Sequence, residues 1–400
     1  MLPRPSGWRR SHGLKVSVMS GGHSWTSPHL RDGCILIDLV RMQDMSIDAR
    51  HRQISVRPSV KGRRANDALA VHGLMVPTGH HNTVGCGGFL MCGGFGWNFR
   101  QFGNGCRNVQ SIDVVTADGE LIHCDETQNA EFYWAARGGG AGFFGAVTNF
   151  TLSAHPRPQY LTQNGYVFPI EYVEEALAWV HALGPQCPPF LELVAAASSY
   201  APDGGWAPTK LIVSGLAFAR TATEAREAQA LFESCPIKHK ALVRRDCVPT
   251  TLEERYDLAT LADPVGNRYA ADNMYTDASA AEIMPHMREL FGNMPTPRTH
   301  VFWLYQGPRP DFSGMALSAW GETFIAAYTI WQDAGLDAAM DQWPVEQMRK
   351  LDPIANGEGQ MNDENMHARP IRYLSVDAEQ RLEALRVKHD PASVFLSLLK

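Results

Sequence analysis

The sequence predicts two α+β domains within one chain of 400 residues. Three observations carry that expectation. Short β-branched runs alternate with glycine-rich loops through residue 155, and Pro and charge then interrupt the pattern at His155-Pro-Arg-Pro158. Beyond that point strands and amphipathic helices continue with few glycines.

The elements follow in order. Residues 14–19 (LKVSVM) read as a strand, and SGGHSW after them as a turn. Residues 34–39 and 53–57 are further strands, and 66–72 a helix closed by Gly73. Strands at 111–117 and 120–124 form a hairpin, because Asp118-Gly119 lies between two apolar runs. Residues 129–136 are helical and 146–153 a strand. In the second part, 191–200 and 209–219 read as strands and 222–232 as an amphipathic helix. Helices are also expected at 280–291, at 315–334 and at 377–388, the last ending at His389-Asp390-Pro391.

Composition narrows the function. A net charge of -6 with scattered basic residues argues against a nucleic-acid partner. The densest basic group, Lys61-Gly-Arg63-Arg64, reads as a solvated loop or a helix start. No apolar run reaches the roughly 18 residues of a membrane span. The opening MLPRPSGWRR lacks the apolar stretch of a secretory signal. The expectation is a cytoplasmic protein without a membrane partner. Eight dispersed Cys with no C-x-x-C pair read as reduced thiols.

Four glycine loops pose the chemical question: SGGHS at 20–24, GHHNTVGCGG at 79–88, CGGFGW at 92–97 and RGGGAGFFG at 137–145. Glycine permits positive φ and close backbone approach, and successive N–H groups in such turns form concave anion sites. Together, in a chain without excess positive charge, they suggest a diphosphate neutralised by amide dipoles. Gly140-Ala-Gly142-Phe-Phe-Gly145 fits G-x-G-x-x-G, but a helical segment precedes it and a strand follows. That order inverts the dinucleotide fingerprint. His80, His81, Cys86, Cys92 and Cys106 are suitable metal ligands at spacings unlike those of structural zinc sites, so no metal is expected. His23 reads either as a turn residue with a satisfied ring or, beside an anion-cradling loop, as a nucleophile.

The runs GLKVSVMSGGHS, PTGHHNTVGCGGFLMCGGFGWNFRQFG, VQSIDVVTADGEL and EFYWAARGGGAGFFGAVTNF, with RLEALRVKHDPASVF at the end, resemble one family. It is the vanillyl-alcohol oxidase/PCMH-type FAD proteins, in their berberine-bridge-enzyme-like branch. The resemblance implies a PCMH-type FAD-binding domain of two α+β subdomains over 1–155. It implies a substrate domain over 156–350, with an antiparallel sheet flanked by helices, and a return segment to the FAD domain over 351–400. Ser20, Gly21, Gly22, His23 and Ser24 would wrap the diphosphate, with His23 bonded to the flavin 8α-methyl. Gly79, His81, Thr83, Val84, Gly85, Gly87 and Gly88, then Gly93, Gly94 and Gly96, would line the FAD. Gly142 and Val147 would contact its adenine side.

The resemblance also carries departures. His81 stands where some members link a cysteine to flavin C6, and Cys86 does not replace it, so a single linkage is expected. Val84 stands at the oxygen gatekeeper in its oxygen-permitting form. Met19 replaces a common arginine, and only a helix stub at 8–12 represents the element that usually precedes Gly13. The tail motif that supplies a base in relatives is replaced by Ala378 and Glu379.

The implied reaction passes hydride from a C–H bond of an alcohol, amine or sugar to flavin N5, with molecular oxygen as the second partner and hydrogen peroxide as product. A dehydrogenase with another acceptor and a flavin-binding protein without turnover remain alternatives. Tyr373, His367 and Glu379 are candidate bases by chain position, or exposed residues of the tail. A small-molecule substrate pocket is expected between the domains, walled by 268–277 and 300–308. Trp303, Tyr305 and Tyr275 would be its aromatic surfaces, or core.

Overall fold

A computed structural model describes residues 14–25, 27–200, 205–363, 365 and 368–397. The stub at 8–12 and the candidate base His367 lie outside the described residues. Helices and antiparallel sheets share the chain, as the α+β reading requires. Over the described residues it divides into two compact units. The first comprises Met1–Arg157, Asp311–Ser318 and Leu374–Lys400, the second Pro158–Pro310 and Ala319–Tyr373.

In the first unit β1 (Lys15–Met19) and β2 (Cys34–Asp38) pair in parallel. The chain continues through β3 (Met45–Asp48), β4 (Gln53–Val56), β5 (Leu74–Met75), β6 (Val109–Val115), β7 (Leu121–Cys124), β8 (Ala146–Ser153) and β9 (His155–Pro156). An antiparallel sheet has the order β3-β4-β8-β6-β7, so β8 is central. Its alternate residues Phe150 and Leu152 are buried, and burying one such side chain is worth about 2 kcal/mol. The β6–β7 hairpin turns at Gly119, whose φ of +82° suits glycine. Helix Gly62–Ala70 begins four residues before the sequence pattern suggested, and Gly73 ends the turn after it with φ +66°.

The tail belongs to this unit. Helix Val376–His389 is capped by Ser375, whose hydroxyl accepts from Ala378 N. Its buried Arg386 donates to the carbonyls of Gly142, Phe143 and Phe395. Lys388 and His389 both reach Glu131.

The second unit is built on a seven-stranded antiparallel sheet. Its strands are β10 (Tyr160–Pro169), β11 (Leu191–Tyr200), β12 (Trp206–Ala219), β13 (Val243–Pro249), β14 (Arg268–Thr276), β15 (His300–Tyr305) and β16 (Thr323–Trp331). Their order is β13-β10-β12-β11-β15-β16-β14. Helices Val173–Leu183 and Ala280–Gly292 supply residues to the core against one face, including Leu177, Val180, Ile283 and Met287.

One expectation needs correction here. The helix expected at 315–334 is instead a loop followed by β16, every residue of which is buried. A strand buried on both faces shows no period-two alternation, and its Ala-Ala pair imitates a helix former. Of the two readings left open for Trp303 and Tyr305, core is the one observed: both lie on the helix-facing side of β15, in register with Ile325 and Thr323 of β16.

Tyr275 and Tyr328 lie on the other face. There Tyr328 donates to Asp363 Oδ2 at 3.1 Å, and Gln360 Nε2 donates to the same oxygen at 2.9 Å. Enclosure of the carboxyl pushes Asp363 up to about 7, opposed by the Tyr328 hydrogen bond and reinforced by Asp263. The folded state then keeps a proton that an unfolded Asp loses near 3.8, so stability falls as pH rises from about 4 to about 7. Asp363→Asn should flatten that slope and raise the thermal midpoint at pH 8. An unchanged slope in melts between pH 4 and 8 contradicts this.

Candidate functional site

The described residues bring the loops at 20–24 and 79–88 together, backbone against backbone. A Cβ on Gly21 would lie 2.8 Å from Gly85 N, and one on Gly87 would lie 2.7 Å from Ser20 Oγ. Ser20 Oγ accepts from Gly88 N at 3.2 Å. Gly85 precedes the short helix Cys86–Met91, whose first N–H groups are already spent: Cys86 N donates to Val60 O and Gly87 N to Pro58 O.

The loop at 20–24 is different. Among the described residues, the N–H groups of Gly21, Gly22, His23 and Ser24 donate to no protein acceptor. Gly22 has φ +65°. Ser24 Oγ is buried and has no hydrogen-bond partner among the described residues. Successive unspent amides in a turn with a left-handed residue form an anion cradle, so the loop fits a diphosphate.

His23 stands at the edge of this cradle. Its Nε2 lies 2.6 Å from Thr83 Oγ1. Thr83 Oγ1 lies 2.8 Å from His81 Nδ1, and Thr83 N donates to the same nitrogen at 3.2 Å. The rings of His23 and His81 are 5.0 Å apart. The loss of hydration as protein packs round the ring, then His81 and Lys61, lower His23 from 6.5 to about 4. The residue is exposed, and positive charge on either neighbour would oppose its cationic form. His23 is therefore neutral at physiological pH, with a lone pair available for bond formation.

Lys61, read from the sequence as part of a solvated loop or a helix start, is the N-cap of helix Gly62–Ala70, and its half-burial was not foreseen. Arg64 of the same basic group is exposed, but Lys61 is half-buried, and burial lowers its pKa. Its Nζ lies 3.9 Å from the position a Gly21 Cβ would take. Only its place just before a helix, between two glycine loops, could have signalled this.

The loop at 92–97 joins the same body. Trp97 N donates to Thr78 O at 2.9 Å, and Gly105 N donates to Gly94 O at 2.8 Å. Gly93 and Gly94 have φ +105° and +81°. Gly79 packs on Val84, where a Cβ would approach Cγ1 to 2.8 Å.

Gly142 is held by Arg386, and Val147 is a buried residue of β8 opposite Val114. Of the candidate bases, Tyr373 is buried, while Glu379 is exposed in the first turn of the tail helix.

Known proteins match this arrangement. A family model described as FAD binding domain matches residues 7–125. The FAD-linked oxidoreductase nodO of Hypoxylon pulicicidum is 29% identical over 384 residues, covering 94% of this chain and 84% of that protein. The crystal structure of 6-hydroxy-D-nicotine oxidase from Arthrobacter nicotinovorans has a TM-score of 0.82 at 18% identity, covering 97% of this chain and 86% of that one. A berberine bridge enzyme variant in complex with (S)-reticuline has a TM-score of 0.79 at 16% identity, covering 97% and 84%. Among the described residues, no helix is long and apolar enough to cross a membrane. The chain thus carries an FAD binding domain, is similar over nearly its whole length to FAD-linked oxidoreductases, and has the fold of 6-hydroxy-D-nicotine oxidase and berberine bridge enzyme.

Proposed function

We propose that this enzyme carries FAD tethered through His23 and oxidises a C–H bond of a small alcohol, amine or sugar, with molecular oxygen as the electron acceptor. The observation that carries the tether is His23 itself: neutral, with Nε2 engaged by Thr83, at the end of a turn of unspent amides. The bound flavin supplies hydride acceptance at N5 and passes the electrons on. The chain's own residues bind and orient it. The amides of Gly21 to Ser24 hold diphosphate charge, and Lys61 adds a cation beside them. Gly142 and Val147 would meet the adenine side.

Val84 supports the choice of oxygen. It occupies the gatekeeper position implied by the family resemblance, and its side chain packs against Gly79. The domain roles follow the same reading: the first unit binds FAD and the second takes the substrate.

Acid precipitation tests the tether. Wild-type protein is expected to give a yellow pellet, and His23→Ala to lose the colour to the supernatant. A yellow His23→Ala pellet contradicts the assignment. Peroxide formed in air during turnover supports the oxidase. Turnover of an artificial acceptor without peroxide supports a dehydrogenase instead.

A further inference from the structure

We propose that Thr83 and His81 form a relay that takes the Nε2 proton from His23 and so lets His23 Nδ1 make the bond to the flavin 8α carbon. This rests on the tethered-flavin reading above.

The hydrogen bonds fix the direction of the relay. Thr83 N–H points at His81 Nδ1, so that nitrogen carries a lone pair and no proton. The Thr83 hydroxyl has one hydrogen and two close nitrogens, His81 Nδ1 at 2.8 Å and His23 Nε2 at 2.6 Å. Were the hydroxyl to donate to His23, two lone pairs would face each other at the His81 contact. The arrangement in which both contacts are hydrogen bonds has Thr83 donating to His81 and accepting from His23 Nε2–H. His23 is then the Nε2–H tautomer, with its lone pair on Nδ1.

The frame is rigid. Val84 N donates to His81 O at 3.2 Å, and Gly62 N donates to Val84 O at 3.0 Å. These bonds hold the turn that carries both relay residues.

The chemistry balances as follows. The bond from Nδ1 to the 8α carbon forms, and one hydrogen leaves that carbon as a proton. The alkylated imidazole would be a cation, so Nε2 releases its proton to Thr83 Oγ1 while Thr83 passes its own to His81 Nδ1. The two electrons left on the isoalloxazine go to dioxygen, which with the two protons gives hydrogen peroxide. Without the relay, bond formation would first leave a cationic ring, which Lys61 opposes; with it, the Nε2 proton departs as the bond forms. Thr83 and His81 are positioning and proton-holding residues for this self-modification, not for substrate oxidation.

The test uses protein as purified from cells. Native absorbance gives total flavin, acid precipitation gives the covalent share, and analysis of the histidyl-flavin peptide gives the linked nitrogen. In wild type the flavin is expected in the pellet, linked to Nδ1. Thr83→Val and His81→Phe should be yellow in native buffer but leave most flavin in the acid supernatant. Tethering slowed about 100-fold, as for loss of a positioned proton acceptor, accounts for this. Thr83→Ser keeps the hydroxyl and should restore the yellow pellet.

A wild-type covalent share in Thr83→Val, or linkage through Nε2, overturns the relay and leaves the tether standing. All wild-type flavin in the supernatant overturns the tether and the relay together. Should Thr83→Val fail to fold, the wild-type linkage atom decides alone.

Discussion

Arg369→Met is expected to destabilise the second unit by about 3–5 kcal/mol, the cost of leaving a buried carboxylate without its partner. Arg369 and Asp272 have only 3% and 0% of their side-chain surfaces exposed. The guanidinium donates to Asp272 through Nε at 2.6 Å and Nη2 at 3.2 Å, and to Asp352 through Nη1 at 3.0 Å. It also reaches the carbonyl of Asn273. Methionine keeps most of the side-chain volume and none of these bonds, while Asp272 stays enclosed between β14 and its neighbours. A fall in thermal midpoint of about 10 °C is the corresponding scale for a unit of this size. Adding Asp272→Asn should recover part of the loss, because the stranded charge is then removed. A single variant that melts within a degree or two of wild type contradicts the argument.

The second large effect is expected at Gly96. A Cβ there would lie 2.0 Å from Thr78 O and 2.5 Å from its carbonyl carbon. Both are backbone atoms and cannot rotate aside. Relief requires the loop at 92–97 to move off residues 78–79, breaking the Trp97 N to Thr78 O bond. Gly96→Ala should therefore cost about 3 kcal/mol, the upper range for overpacking, and reduce flavin retained through dialysis. Gly88→Ala is the contrast, since among the described residues nothing outside its chain neighbours and its own helix backbone lies within 4 Å of its Cβ position. It should leave thermal stability of flavin-free protein unchanged, and reduced flavin uptake by this variant would mark the space as ligand-facing. Equal melting curves for Gly96→Ala and wild type would sink the close-approach argument.

These two sites differ in how visible they were in the sequence. Gly96 could be singled out because a glycine cluster announces left-handed turns and close backbone contact whatever the fold does around it. Arg369 and Asp272 are 97 residues apart, and no local pattern pairs them. The same divide runs through the fold. The hairpin of β6 and β7 was legible from Asp118-Gly119, and helix Val376–His389 from its apolar spacing, because local signals specify both. Strand β16 was not, because burial on both faces erases the alternation that marks a strand. Strands β3, β10 and β13 were passed over as well. Edge strand β13 is almost wholly exposed, so no buried face patterns its sequence.

In the site itself, the residue types were legible and their connections were not. His23 and Thr83 stand 60 residues apart, and the turn that aims Thr83 between two imidazoles is set by tertiary contacts. Lys61 read as part of a solvated loop or a helix start, and it does open helix Gly62–Ala70, but charged residues are usually exposed and its half-burial was not legible. Its burial follows from the approach of Gly21 to Gly85, which only the folded chain reveals.

The central claim is that the amide-lined loops of the first unit hold FAD bonded to His23. Denaturing mass spectrometry of the purified protein, followed by peptide mapping, tests it most directly. The expected result is a chain heavier by one FAD less two hydrogens, with that mass on the peptide containing His23. A bare chain mass from protein that is yellow in native buffer, or flavin carried by a peptide lacking His23, would contradict it.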